Sequence, residues 1–148
     1  MTSSDLAGRI QHTLLKITAS ADDIRRLCRE CREYHFQAAC IQPMWVDLAA
    51  QELAGSATAV CAVADFPHGA CTAEAAAFEV RDLVRRGAQE IDVVCKIGYL
   101  RSGMDAAFRD DLAAVVGAAQ GRVTKVILET SILTPGELAR AINLSAEA

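Results

Sequence analysis

Apolar residues in this chain alternate between short continuous runs and longer stretches with helical spacing. The runs predict five strands, at 10–15, 36–41, 57–64, 90–96 and 122–129. The stretches predict five amphipathic helices, at 21–34, from Pro43 onward, at 72–86, at 105–119 and from Pro135 to the last residue. Buried strands that alternate with amphipathic helices are typical of a parallel sheet covered by helices, so the fold class is α/β.

The positions of the polar residues favour a barrel over an open, doubly wound sheet. No Gly-x-Gly-x-x-Gly loop follows the first predicted strand, although such a loop is the usual sign of an open dinucleotide-binding sheet. Polar residues recur within the strands or at their C-terminal ends, where barrel enzymes place their active sites. We expect one rim of the barrel to collect Gln11, Thr13, Cys40, Asp65, Asp92, Lys125 and Glu129.

Asp92 and Lys125 are the strongest candidates for chemistry. Each lies on the inward face of a predicted apolar strand, and Lys125 is the one lysine that we expect to face inward from a strand. A charge inside a core is costly unless it is paired or used, so both residues point to a reaction centre. A purely structural ion pair between them is the alternative, and the residues by themselves leave both interpretations open.

Composition limits the partners of the chain. The 148 residues are 52% hydrophobic and only 5% aromatic, which suits a core of small aliphatic side chains. The net charge of −4 provides no basic field for a phosphate backbone, so no nucleic acid partner is expected, while a small phosphorylated metabolite remains possible. No leader-like or membrane-length apolar stretch occurs, which predicts a cytoplasmic protein without a membrane partner.

The cysteines and histidines do not indicate a metal or redox site. Cys28 and Cys31 form a Cys-x-x-Cys sequence, but they share the apolar face of a predicted helix, and we expect all six cysteines to be reduced thiols. Cys40 by itself is typical of a small core residue. The three histidines are scattered, and the alternation of the first strand places His12 between strand and helix.

Several motifs in series resemble the deoxyribose-phosphate aldolase family over nearly the whole chain. They read IQHTLLK at 10–16, ACIQP at 39–43, DFPHGA at 65–70, RGAQEIDVV at 86–94 and KVILET at 125–130. The resemblance implies a (β/α)8 TIM barrel and a class I aldolase. Such an enzyme cleaves 2-deoxyribose 5-phosphate reversibly to acetaldehyde and glyceraldehyde 3-phosphate through a lysine Schiff base, without a cofactor.

The resemblance also implies roles for individual residues. Asp92 matches the proton-transferring aspartate of the family, and Lys125 matches a lysine that lines the site. Cys40 matches a thiol that lines the aldehyde pocket, and we expect Thr13 and Cys40 to contact substrate. Two positions differ from the family pattern: Gln11 stands where the first strand commonly has Asp, and Gln42 stands where Asn usually precedes Pro43.

The chain is short for such a barrel. A (β/α)8 domain has about 250 residues, so residues 1–148 are expected to form the N-terminal part of a single barrel domain, about five of its eight βα units. In the resembled family, the Schiff-base lysine lies on the sixth strand in a Lys-Thr-Ser-Thr-Gly run, and the phosphate site follows later. Neither has a counterpart in this sequence.

Three functional hypotheses follow from this difference in length. We favour an aldolase sequence whose remaining units are missing, so that the activity of the 148 residues alone is doubtful. The second hypothesis is a non-catalytic half-barrel that associates with another copy or a complementary fragment, because an open sheet edge exposes unpaired backbone groups and apolar surface. The third is a self-contained imine-forming or proton-transfer enzyme that uses Lys125 together with Asp92.

Overall fold

The computed structural model describes residues 3–148, with side chains from Asp5 onward. Over these residues the strands are β1 (Gln11–Leu14), β2 (Ala38–Ile41), β3 (Ala59–Ala64), β4 (Glu90–Val94) and β5 (Val123–Ile127). The α-helices are α1 (Ser3–Ala7), α2 (Ala21–Tyr34), α3 (Val46–Glu52), α4 (Ala73–Arg86), α5 (Ile97–Arg101), α6 (Asp105–Ala118) and α7 (Pro135–Glu147). Short 3-10 turns occupy Pro43–Trp45 and Thr130–Ile132.

The strands follow chain order in one five-stranded sheet, β1-β2-β3-β4-β5. The first pairs are parallel, with Thr13 opposite Cys40 and Cys40 opposite Cys61. The predicted parallel α/β architecture is therefore confirmed.

By its internal contacts the chain divides into two compact units, and we describe each by itself. Unit 1 comprises Met1–Val63 and Leu83–Glu90, and unit 2 comprises Ala64–Asp82 and Ile91–Ala148.

Unit 1 is organised by helix α2, which covers the residues predicted for it. Its first turn is closed by a capping box in which the Ser20 hydroxyl accepts from the Asp23 amide and the Asp23 carboxylate accepts from the Ser20 amide. The apolar face of α2 consists of buried residues at helical spacing, namely Ile24, Leu27, Cys28 and Cys31. This face packs on β1, β2 and α3.

Unit 2 is built around helices α6 and α7. Phe108, Leu112 and Val115 of α6 are almost completely buried. Helix α7 begins with a second capping box, between Thr134 and Glu137, as Pro135 at its first position leads one to expect. Helix α7 contacts both α5 and α6, so the predicted final helix is confirmed and is integrated into its unit.

The structure adds two short helices that the sequence did not reveal. Helices α1 and α5 have five residues each, too few to show a repeat of apolar positions. Helix α5 begins directly after Lys96, which shortens the predicted fourth strand to Glu90–Val94. Among the described helices, none has the length and apolar character needed to cross a membrane.

Candidate functional site

Asp92 and Lys125 form an ion pair in unit 2. The Asp92 Oδ1 atom lies 2.7 Å from the Lys125 Nζ atom. The Lys125 side chain is 37% exposed and the Asp92 side chain is 16% exposed, so solvent reaches the lysine, whereas the Asp92 Oδ1 atom that contacts it is buried. The structure thus brings together the two residues that the sequence selected. The pairing fits the structural interpretation as well as the catalytic one.

Thr13 and Cys40 are neighbours in unit 1. They occupy opposite positions in the register of β1 and β2. Cys40 is buried, whereas Thr13 is exposed and its hydroxyl donates to the Gln11 carbonyl oxygen at 3.0 Å. These two predicted substrate contacts therefore lie side by side, and the Thr13 hydroxyl has a partner on its own strand.

Gln11 does not join the C-terminal rim as expected. It is the first residue of β1, and its side-chain amide donates to Glu90 Oε2 at 2.6 Å, at the start of β4. Gln37, which precedes β2, donates to the other Glu90 oxygen at 3.1 Å. In parallel strands the starting residues lie at the end opposite the rim, because all strands run in one direction. The amide of Gln11 thus satisfies a buried carboxylate at the N-terminal end of the strands.

A second charged group in unit 2 was not anticipated. Lys96 directly follows Cys95 at the exit of β4, and its ammonium donates a hydrogen bond to the Asp65 carboxylate. The Asp111 Oδ2 atom of α6 lies 3.4 Å from the Lys96 Nζ atom. All three side chains are almost completely buried. We call these three residues the Lys96 cluster.

The environment of the Lys96 cluster keeps the lysine charged. Burial acts to lower the pKa of Lys96, but the hydrogen bond to Asp65 and the charge of Asp111 outweigh it and raise the pKa. Burial acts to raise the pKa of Asp65, and the bonds from Lys96 and the Cys71 amide reverse this and lower it. An imine-forming lysine must be neutral, so Lys96 is unsuited to that chemistry.

The Lys96 cluster adds a buried lysine just beyond a strand, since β4 ends at Val94, whereas Lys125 lies within β5. The predicted fourth strand, 90–96, ends at Lys96, whose side chain is more deeply buried than that of Lys125. A signal for the cluster exists in the sequence at Asp111. This residue stands at core spacing with Phe108, Leu112 and Val115, where an unpaired aspartate is unexpected.

The side chains of His12, Cys28 and Cys31 in unit 1 pack within the fold. His12 packs between β1 and α2 as predicted, with its Nε2 atom 2.6 Å from Glu30 Oε2 and its ring centroid 5.2 Å from that of Phe36. Burial raises the pKa of Cys28 to about 11 and that of Cys31 to about 12, so both are protonated at neutral pH. Both are free cysteines in the structure.

Comparison with known proteins gives a consistent result. No model of a protein family matches the chain. A curated protein from Bacillus cereus (strain AH187), named deoxyribose-phosphate aldolase, is 45% identical over 145 residues, which is 97% of this chain and 65% of the relative. The predicted resemblance to the deoxyribose-phosphate aldolase family is therefore confirmed over the part that the chain spans.

Solved structures of deoxyribose-phosphate aldolases share the fold of the chain. A provisionally named deoxyribose-phosphate aldolase from Coccidioides immitis has a TM-score of 0.96 and 33% identity over 99% of this chain and 58% of its own. The tetrameric deoxyribose phosphate aldolase from Aeropyrum pernix has a TM-score of 0.89 and 30% identity over 98% of this chain and 61% of its own. The predicted fold class, an incomplete member of the TIM-barrel family, is confirmed.

The chain matches its relatives over only part of their length. The chain spans 65% of the length of the Bacillus cereus deoxyribose-phosphate aldolase. The similarity therefore extends over nearly all of the 148 residues but not over the whole of the relative. The roles of Asp92, Lys125, Thr13 and Cys40 stay predictions, because none of these comparisons tests individual residues.

Proposed function

We propose that this chain contributes the proton-transfer part of a deoxyribose-phosphate aldolase active site. The single observation that carries the proposal is the 2.7 Å contact between Asp92 Oδ1 and Lys125 Nζ. Its support from outside the chain is the 45% identity to a protein named for this activity. The proposed reaction is the reversible cleavage of 2-deoxyribose 5-phosphate to acetaldehyde and glyceraldehyde 3-phosphate, which makes the complete enzyme a lyase.

Asp92 would move protons in this reaction. A Schiff base between a lysine and the sugar acts as an electron sink when the carbon–carbon bond breaks. A general base must accept the proton of the neighbouring hydroxyl, and a general acid must later return a proton to the enamine carbon. Asp92, which is partly exposed, can do both directly or through a bound water, while the adjacent Lys125 ammonium compensates its negative charge.

The nucleophile of the proposed reaction lies outside these 148 residues. The lysines of the chain are Lys16, Lys96 and Lys125. Lys16 is exposed and Lys96 is held by the carboxylates of its cluster, and the family assigns the Schiff base to a Lys-Thr-Ser-Thr-Gly run that this sequence does not contain. We therefore propose that residues 1–148 form the N-terminal part of a single barrel domain. The site then needs its nucleophile and its phosphate contacts from further residues.

Association with another chain is the second candidate function. Its specific support is the exposure of β5: Val123 is 55% exposed and the other residues of the strand are half-buried, whereas β4 is almost entirely buried. Ile132, just beyond the strand, is 51% exposed. We infer that a second copy or a complementary fragment covers this surface. A phosphorylated sugar would be the small-molecule partner, and the cytoplasmic location stays a prediction.

Borohydride trapping tests these proposals directly. The 148-residue chain is incubated with acetaldehyde and sodium borohydride, alone and together with the part of the Bacillus cereus aldolase that the chain does not span. We expect no specific adduct on the chain alone, and an adduct on the added fragment when both are present. The Asp92→Asn variant should lower the rate of product formation by the mixture without preventing association, which size-exclusion chromatography measures.

Other outcomes select different functions. An adduct on the isolated chain that is lost in Lys125→Ala and retained in Lys16→Ala would identify the self-contained imine-forming enzyme and contradict our proposal. Association without an adduct on either component would favour the non-catalytic half-barrel. An unchanged rate in Asp92→Asn would contradict the role of Asp92 while leaving the association intact.

A further inference from the structure

The Lys96 cluster contains two carboxylates and one ammonium group within a buried space. The Asp65 and Asp111 side chains are 4% and 3% exposed, and the Lys96 side chain is 6% exposed. Neither oxygen of Asp111 accepts a hydrogen bond from the described residues, and the nearest cation is Lys96 at 3.4 Å. A buried carboxylate without hydrogen bonds is costly in its ionised form. The Lys96 ammonium thus donates a hydrogen bond to Asp65, whereas it only lies near Asp111.

The Asp65 carboxylate, which is bonded to Lys96, also holds the loop that follows β3. Its Oδ1 atom accepts hydrogen bonds from the Ala70 amide at 2.9 Å and the Cys71 amide at 3.1 Å. Gly69 of the same loop packs tightly against the exit of β4, because a Cβ atom at this glycine would lie 2.5 Å from the Cys95 carbonyl oxygen. The bond between Asp65 and Lys96 therefore fastens loop 65–71 to the residues that follow β4.

We propose that Asp111 binds a proton, and that this proton decides whether the Lys96 ammonium bonds to Asp65 alone or is shared with Asp111. When Asp111 is protonated and neutral, the ammonium is committed to Asp65, and loop 65–71 is held on the exit of β4. When Asp111 ionises, the ammonium is drawn toward α6 and its bond to Asp65 weakens, which loosens the loop. The balance is simple: one proton leaves Asp111 for solvent, and Lys96 keeps its charge throughout.

The neighbouring charges support this order of titration. Burial raises the pKa of Asp111 more than the charge of Lys96 lowers it, and Asp65 raises it further. The pKa of Asp65 is lowered, so the two aspartates titrate in separate ranges. Other titratable groups near the cluster are Glu79, which accepts from the Asp65 amide, Cys71 and Cys95, whose thiol pKa values are raised, and Glu129, whose charge acts on Cys95.

The sign of the pH effect follows from linkage. The folded state binds the Asp111 proton more tightly than the unfolded chain does, because the folded pKa is the higher one. This contribution to stability is complete below the ordinary aspartate pKa of about 4 and is lost as pH rises through the folded pKa. Asp65 has the opposite sign, since its contribution is lost as pH falls through its lowered pKa. The proposal is independent of the aldolase function.

Amide hydrogen exchange at Ala70 and Cys71 tests the proposal in the 148-residue chain. Exchange is measured between pH 5 and pH 9 and corrected for the intrinsic pH dependence of exchange. In the unmodified chain we expect protection of these amides to fall as pH rises, by at most about tenfold per pH unit, the limit for one proton. In Asp111→Asn, which is neutral at every pH, protection should be independent of pH.

Two further variants make the result decisive. Asp110→Asn removes an exposed carboxylate from the same helix and should behave like the unmodified chain. Asp65→Asn weakens the acceptor of the loop, so protection of Ala70 and Cys71 should be low at every pH. Equal pH dependence in the unmodified chain and in Asp111→Asn would overturn the proposal, and so would retention of the unmodified profile in Asp65→Asn.

Discussion

The two lysines of unit 2 that pair with aspartate differ in burial. The Lys96 side chain is 6% exposed and lies between Asp65 and Asp111. The Lys125 side chain is 37% exposed and pairs with Asp92. Each lysine lies close to an aspartate carboxylate, so contact with an aspartate does not by itself distinguish them. Their access to solvent does.

This difference separates a structural ion pair from one that suits chemistry. Removing one partner of a buried pair leaves an uncompensated charge and costs about 3–5 kcal/mol, whereas exposed pairs contribute about 0–1 kcal/mol. An accessible pair can exchange partners with a substrate at little cost in stability. We therefore assign fold stability to the Lys96 cluster, and the Asp92–Lys125 pair is the better candidate for proton transfer.

The largest expected effect is that of Lys96→Met. The variant removes the ammonium that pairs with the buried Asp65 carboxylate, so we expect the free energy of unfolding to fall by about 3–5 kcal/mol. Urea denaturation followed by circular dichroism measures the change at neutral pH. The exposed Lys16→Met is the control. A loss below about 1 kcal/mol would mean that burial does not distinguish the two lysines.

An intermediate effect is expected at Glu90, a buried carboxylate that accepts hydrogen bonds from the side-chain amides of Gln11 and Gln37. Gln11→Glu keeps the length of the side chain but replaces a donor with a second carboxylate 2.6 Å from Glu90. We expect a loss of about 1–3 kcal/mol in the free energy of unfolding near pH 7, because a buried acceptor loses its donor. Protonation in acid should reduce this loss.

The matched control for this change is Gln51→Glu, since Gln51 is exposed on α3. Equal stability of the two variants across pH would show that the contact between Gln11 and Glu90 contributes nothing. The result also bears on the family, because the resembled aldolases commonly have Asp at the position of Gln11. A carboxylate at this position would face Glu90 in the present chain.

The smallest effect on stability is expected for Lys125→Met. Because the lysine is more than a third exposed, solvent screens the pair, and we expect a loss of at most about 1 kcal/mol in the free energy of unfolding. The same variant should lower product formation in the complemented mixture described above. A loss above about 2 kcal/mol together with unchanged product formation would assign Lys125 to structure instead.

The sequence alone revealed those elements whose signals are local. Helix α2 was predicted at its observed bounds, because apolar spacing and the capping residues Ser20 and Asp23 lie within a few positions of one another. Each strand was predicted, with ends that differ from the observed ones by at most two residues. Helices α1 and α5 were missed, since five residues contain little more than one turn.

Motifs along the chain also indicated the aldolase family. Alternation along the strands selected Asp92 and Lys125 together, because every second residue of a strand faces the same side. Tertiary structure alone decided the partners of Gln11, Lys96 and Asp111. Glu90 is 79 positions from Gln11, and Asp65 is 31 positions from Lys96. No local pattern encodes such separations. A buried charge destabilises the protein unless the fold places a partner beside it, and that partner can come from a distant part of the chain.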